Sequence, residues 1–295
     1  MPYPKLPLDP LAMLHERAST IAKNFDLRNL PPDFYANQYP VYEVLRETSP
    51  VRPMPDGSYF LTRHADLVAV CRDAHTFSSD KKVEFEPKYG AASPLFEHHT
   101  TSLVFNDPPP HTRVRSRIIG ALTRRAIAGM ESSLITLVDS LLDDLQTRAE
   151  MLLKQELLTP DSDTFDGYLI PVIDEFLCFE PSNQLSNRRA LKYTHIVGVP
   201  IAAGSLLTLC IGAANRDPAQ FDLSNELMLE RQNNRHLAFG LGIHQCSGMS
   251  LARLEGRIAI GRFLQRFPDY RLTTAPTRGG RARFRGFLRA PFSTA

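Results

Sequence analysis

No stretch of the 295-residue chain approaches the roughly 20 consecutive apolar residues that a membrane-spanning helix requires. The first residues, MPYPKLPLDP, lack the apolar core of a signal peptide, so a cytoplasmic protein is the expectation. Cysteine is scarce. Cys71, Cys178, Cys210 and Cys246 are scattered with no CxxC pair, which argues against a zinc site or a disulfide framework. Charge of one sign is also lacking. The 34 Lys and Arg nearly balance the 32 Asp and Glu, and a formal charge of +2 argues against bulk nucleic-acid binding. Internal repeats and low-complexity segments are absent. What remains is ordinary globular composition, 43% apolar and 22% charged, in a length that suits one large domain or two smaller ones.

Apolar spacing predicts a short amphipathic helix over residues 40–47 and a hairpin over 51–63 turning at Pro55-Asp56-Gly57. A helix is expected over 65–72, and another after the break Asn106-Asp107-Pro108-Pro109-Pro110. Residues 78–99 read as irregular and polar. Leu134, Leu137, Val138, Leu141, Leu142 and Leu145 recur at 3- and 4-residue intervals, the spacing of one buried helical face. Residues 147–168 are weakly patterned, with a loop predicted around Thr159-Pro160-Asp161-Ser162-Asp163. Residues 171–179 read as helix, and two short strands are expected around Ala202-Ala203-Gly204. A clear helix covers 249–267, with Leu251, Leu254, Ile258, Ile260 and Phe263 inward and Pro268 as its stop. The basic stretch RGGRARFRGFLR, residues 278–289, interleaves Phe284, Phe287 and Leu288 with arginines. It fits a terminal strand with its arginines in water better than an RNA-binding arm.

One loop carries chemistry. Phe239-Gly240-Leu241-Gly242-Ile243-His244-Gln245-Cys246-Ser247-Gly248 runs directly into the helix at 249. A cysteine just before a helix gains from the positive end of the helix dipole, which favours thiolate. Glycines at 240, 242 and 248 permit backbone shapes that a Cβ resists, and they let amide N–H groups approach sulfur. Such donors tune a thiolate ligand. On glycines and cysteine alone, a glycine-rich turn around a buried Cys is an equally good reading.

The full pattern, Phe-Gly-x-Gly-x-His-x-Cys-x-Gly, resembles the haem-ligand signature of the cytochrome P450 family. Asp107 to Arg115 resembles the family's segment leading into the helix that crosses one haem edge, with His111 and Arg115 four residues apart on one helical face. Arg188, in Ser186-Asn187-Arg188-Arg189, and His236, three residues before Phe239, match propionate contacts of the bacterial members. Ala213 to Pro218 matches a further bacterial motif. The resemblance covers about residues 35–145 and 170–290. It implies an α+β fold, mainly α with a small β-sheet, as a single cytochrome P450-like domain over 1–295, with haem b as cofactor. Cys246 would be the axial iron ligand, and His111, Arg115, Arg188 and His236 would be propionate partners.

Three departures accompany it. Only residues 147–170 separate the two matched regions, a deletion-like junction where the family has a block of helices. That block includes the central distal helix with its Ala/Gly-Gly-x-Asp/Glu-Thr motif. Asp161-Ser162-Asp163-Thr164 offers an acid–Thr pair, but in a predicted loop. The family's Glu-x-x-Arg reads Glu175-Phe176-Leu177-Cys178, which leaves Glu175 without its arginine; removing one partner of a buried pair costs about 3–5 kcal/mol. Residues 221–234 lack the Pro-x-Arg-Phe segment, and Arg231 is the available substitute.

The resemblance thus implies a shortened haem-thiolate monooxygenase, impaired or inactive. A ferredoxin-type electron donor would meet basic residues such as Arg113, Arg117 and Arg235, and the substrate would be an apolar small molecule of terpenoid type. A haem-binding protein without monooxygenase activity, and a non-functional remnant, stay open as alternatives. No nucleic-acid or membrane partner is expected.

Overall fold

The structure, a computed structural model, describes the backbone of residues 10–149 and 162–293 and the side chains of residues 15–143 and 169–293. Eleven α-helices lie within these residues. They are α1 (Pro10–Lys23), α2 (Pro32–Ala36), α3 (Tyr39–Thr48), α4 (His64–Arg72), α5 (Lys82–Tyr89), α6 (Pro94–Thr101), α7 (Pro110–Ala121), α8 (Arg124–Ala149), α9 (Ser162–Phe179), α10 (Ile211–Ala214) and α11 (Met249–Arg266). None of the described helices is long and apolar enough to cross a membrane.

Strands β1 (Val51–Pro53), β2 (Tyr59–Leu61), β3 (Phe77–Ser78), β4 (Leu185–Ala190) and β7 (Leu206–Cys210) form one five-stranded sheet in the order β1-β2-β7-β4-β3. Three two-stranded ribbons complete the described strands. These are β5 (Thr194–Ile196) with β6 (Val199–Ile201), β8 (Arg271–Leu272) with β11 (Phe292–Ser293), and β9 (Thr277–Arg278) with β10 (Phe287–Arg289). The result is the expected mainly helical α+β architecture.

The sheet is buried on both faces. Successive residues of a strand point opposite ways, and Phe60 and Leu61 are both fully buried in different clusters. Leu61 joins Leu67, Val70, Leu207 and Leu209 beneath α4. Phe60 joins Phe25, Phe34, Tyr42 and Leu45 beneath α1 to α3, with Phe25 and Phe60 ring centroids 4.8 Å apart. The pairing of β2 with β7 is parallel, Tyr59 opposite Leu207 and Leu61 opposite Leu209, so the two halves of the chain share one sheet.

The predicted helices at 40–47, 65–72 and 249–267, the one after Pro110, and the first hairpin are all present. Five expectations need correction. Residues 78–99 are not irregular: they hold α5 and α6. Ser93 caps α6 by accepting from Leu95 N at 3.2 Å, with Pro94 at the first helical position. The rings of Phe85, Tyr89, His99 and Phe105 pack the two helices together, with only Phe85 and Tyr89 spaced one turn apart. Helix α9 starts at Ser162, so Ser162, Asp163 and Thr164 are helical rather than looped, and Pro171 sits inside the helix. Burial of Leu169, Val172 and Ile173 on one side of that helix favours its continuing through the proline.

The leucine face of α8 is only partly buried. Leu142 is 5% exposed, whereas Leu137 and Leu141 are 55% and 54% exposed. Helix α11 packs against both α8 and α9, and among its expected inward residues only Ile258 is fully buried. In the C-terminal stretch Arg281, Arg283 and Arg289 are exposed as expected, but one arginine and the apolar residues depart from the expectation. Arg285 is buried and donates to Glu180, Gln38 and the carbonyls of Tyr35 and Ala36, while Phe284, Phe287 and Leu288 are exposed.

Candidate haem-thiolate site

The loop before α11 takes the shape its glycines allow. Gly240 and Gly242 have φ of 65° and 73°, and a Cβ on Gly242 would meet Cys71 O at 2.2 Å, so a side chain there would collide with α4. Residues 242–244 form a short 3₁₀ turn. The N–H of Cys246 donates to Phe239 O at 2.8 Å, which closes the loop. Gly248 then caps α11, and Cys246 lies exposed just before that helix. Arg115 donates to Gln245 O at 2.6 Å, tying α7 to the loop beside the cysteine.

A cavity of about 300 Å³ opens onto the loop. Its apolar wall is Leu67, Val104, Leu209, Ile211 and Leu237. Its polar groups include Arg188, His244, Ser79 and Ser186, and Cys246 lies on its rim. Arg188 is the electrostatic key. It is 7% exposed and donates to Asn187 O (2.8 Å) and Ser186 Oγ (3.4 Å), with no carboxylate in ion-pair range among the described residues. Burial lowers its pKa, the mark of a cation held at a cost without a counter-ion.

Beside the cavity, the His111 ring lies 4.4 Å from the His244 ring. His111 is 2% exposed, and neither of its ring nitrogens has a partner. Burial first, then the nearby His244 and Arg115, push its pKa down, so it is neutral at pH 7. His244 Nε2 lies 3.5 Å from Asp107 Oδ1. Partial burial alone would raise the Asp107 pKa. The nearby His244 and hydrogen bonds from Ser78 and the Ser79 N–H outweigh it and hold the carboxyl at about 2.

Two adjacent carboxylates of α9 hold the segment that leads into the loop. Glu175 is 1% exposed and accepts from Arg231 Nε (2.9 Å), Asn234 Nδ2 (3.1 Å) and the Met228 N–H (2.8 Å). Expectation and structure differ here: Glu175 is not orphaned by the cysteine at 178, because Arg231 supplies the missing guanidinium. Asp174 accepts from Arg253 of α11 at 2.7 Å and lies 3.3 Å from His236 Nε2. Cys178 has its thiol pKa pushed up to about 12 by burial and by Glu175, and its Sγ lies 3.6 Å from Asn215 O. Asn215 in turn accepts from Leu237 N at 2.8 Å and donates to Cys178 O.

Of the predicted site residues, the structure brings Arg188 and Cys246 onto one cavity. It sets His111 and Arg115 against the same loop through His244 and Gln245, and it turns His236 toward Asp174. His244 lines the cavity and was given no role from sequence. Its place two residues before Cys246, at a fixed position of the loop pattern, was the available signal. A buried, uncompensated guanidinium and an unpartnered imidazole beside an apolar cavity with a rim thiol suit an iron porphyrin, whose propionates are anionic and whose ring is apolar.

A family model described as Cytochrome P450 matches residues 167–280. Cytochrome P450 105C1 of Streptomyces sp is 47% identical over 85 residues, 29% of this chain and 22% of its own length. The polyketide biosynthesis cytochrome P450 PksS of Bacillus subtilis is 37% identical over 153 residues, 51% of this chain and 35% of its own length. A biotin biosynthesis cytochrome P450 of the same organism is 39% identical over 147 residues, again 35% of its own length. The aligned stretches thus span about a third or less of these curated relatives. Among solved structures, P450BioI in complex with an acyl carrier protein ligated to hexadec-9Z-enoic acid superposes with a TM-score of 0.77 at 21% identity, covering 88% of this chain and 99% of that one. CalO2 gives 0.79 at 18% identity, covering 91% and 98%. At such identities the superpositions establish the fold.

Proposed function

We propose that this chain is a shortened member of the cytochrome P450 family, a haem-thiolate protein with haem b as its cofactor whose monooxygenase activity on an apolar small molecule is impaired. The observation that carries the reading is the cavity that gathers a rim thiol, Cys246, with the buried, uncompensated Arg188.

Each residue has a part in it. Cys246, just before α11, would hold the iron through its sulfur. Arg188 and neutral His111 offer N–H donors to the propionates, Arg115 steadies the loop, and His236 acts from its place between Asp174 and Ala238 N. When bound, the haem supplies oxygen activation and oxidation of a C–H bond. Leu67, Val104, Leu209, Ile211 and Leu237 exclude water and favour an apolar substrate; terpenoids fit that chemistry. Arg113, Arg117 and Arg235 are exposed and offer positive charge to an acidic ferredoxin-type donor. The impairment rests on the lining of the cavity. Its described hydroxyls are Ser79 and Ser186, with no acid–threonine pair to deliver protons.

A second reading, haem binding without turnover, is favoured by the exposure of Cys246. One experiment bears on both. The chain is expressed with haem supply, reduced, and treated with carbon monoxide. A thiolate-type Soret band is expected, and Cys246→Ala should abolish it. Failure to take up haem at all would sink both readings. NADPH-coupled substrate oxidation through a ferredoxin separates them, with slow or absent turnover expected; rapid turnover would refute the impairment.

A further inference from the structure

A second cavity, of about 480 Å³, lies where α3, the C-terminal end of α9 and Arg285 meet, and it shares no lining residue with the first. Its walls include Asn37, Tyr39, Glu43, Phe179, Arg216 and Asn225. Arg216 is 6% exposed. Its guanidinium lies over two rings, 3.5 Å from the centroid of Phe179 and 4.2 Å from that of Tyr39. Its Nε and Nη2 both donate to Phe179 O, at 3.1 and 2.8 Å, and no carboxylate lies in ion-pair range among the described residues. The nearby Glu180 is already committed, accepting from Arg285, Arg278 and Tyr39 Oη. Burial lowers the pKa of Arg216, so its charge is held at a cost that an anion would offset. Glu43 lines the same cavity, half-buried and without an ion pair among the described residues.

We propose that this cavity binds a small organic monocarboxylate, with Arg216 as its anchor. A planar carboxylate can take the remaining Nη N–H groups of a guanidinium whose Nε and Nη2 already hold Phe179 O and whose Cζ lies over two rings. Glu43 biases the cavity against polyanions such as phosphate by like-charge repulsion.

Isothermal titration of the full chain with benzoate, acetate and inorganic phosphate tests this. Saturable benzoate binding is expected, with weaker acetate binding and none for phosphate. Arg216→Gln should weaken benzoate by roughly tenfold or more, and Glu43→Gln should tighten it. Benzoate binding that survives Arg216→Gln unchanged, or no saturable binding of any carboxylate, would overturn the assignment; so would phosphate binding better than benzoate. Should Arg216→Gln fail to fold by circular dichroism, the exposed rim change Asn225→Asp decides. It should weaken benzoate while Glu43→Gln tightens it, and equal affinity in the two variants refutes the site.

Discussion

Helices α8 and α9 flank the same helix, α11, yet they are held in opposite ways. Helix α9 buries Leu169, Val172 and Ile173 and sends two carboxylates into fully partnered networks, Asp174 to Arg253 and Glu175 to Arg231, Asn234 and a backbone amide. Helix α8 is laced to α11 along one edge by Glu131–Arg257, Asp139–Arg262 and Asp143–Arg266, while Leu137 and Leu141 face outward. Exposed ion pairs contribute little each, about 0–1 kcal/mol. Position beside a common neighbour therefore does not equalise two helices. What distinguishes α9 is buried polar satisfaction, and what distinguishes α8 is an apolar face larger than the described chain covers.

The sharpest way to break this contrast is to remove the α9 anchor. Glu175→Ala should destabilise the chain by about 3–5 kcal/mol, because it leaves the largely buried guanidinium of Arg231 without its partner. Arg231→Met should cost a comparable amount. Guanidinium-chloride unfolding measures both. Cys178→Ala should cost far less; an equal loss would mean that Arg231 does not carry the role the family gives to the residue at 178.

On α8, neighbouring leucines should separate cleanly. Leu142→Ala should cost about 2–5 kcal/mol as a core truncation, whereas Leu141→Ala should stay within about 0.5 kcal/mol. Equal costs would show that the outer face is covered in solution.

A smaller effect is set by pH at the loop. The folded pKa of Asp107 lies near 2, below its ordinary 3.8, so its contribution is complete above pH 4 and lost as pH falls toward 2. Relative to the wild type, Asp107→Asn should lose about 1–2 kcal/mol at pH 6, and the gap should close near pH 2. A gap that persists there would point to steric rather than electrostatic loss. Least of all on stability, Leu137→Gln with Leu141→Gln should leave the unfolding midpoint nearly unchanged while reducing self-association in light scattering.

How much of this was legible follows the range of each interaction. The loop from Phe239 to Gly248 is a local device, its glycines and cysteine adjacent in sequence, and it was readable. The pairing of Glu175 with Arg231 joins residues far apart in the chain, so the sequence could name Arg231 as a substitute but not place it. Arg285 misled for a different reason. Alternation of apolar and basic residues resembles a strand with arginines in water, yet Glu180 and Gln38 draw that guanidinium inside and leave Phe284 and Leu288 outside. Of the rings that join α5 to α6, only Phe85 and Tyr89 are spaced one helical turn apart, too short a pattern to mark both helices.

The parallel pairing of β2 with β7 has a consequence for biosynthesis. Tyr59 to Leu61 emerge from the ribosome roughly 150 residues ahead of the strand they must join. Through that interval the first hairpin has a free hydrogen-bonding edge, and Phe60 and Leu61 lack the walls that later bury them. The order of synthesis thus imposes a waiting period on the core. Chaperone supply during expression should govern the yield of this chain more strongly than any single contact in its finished fold.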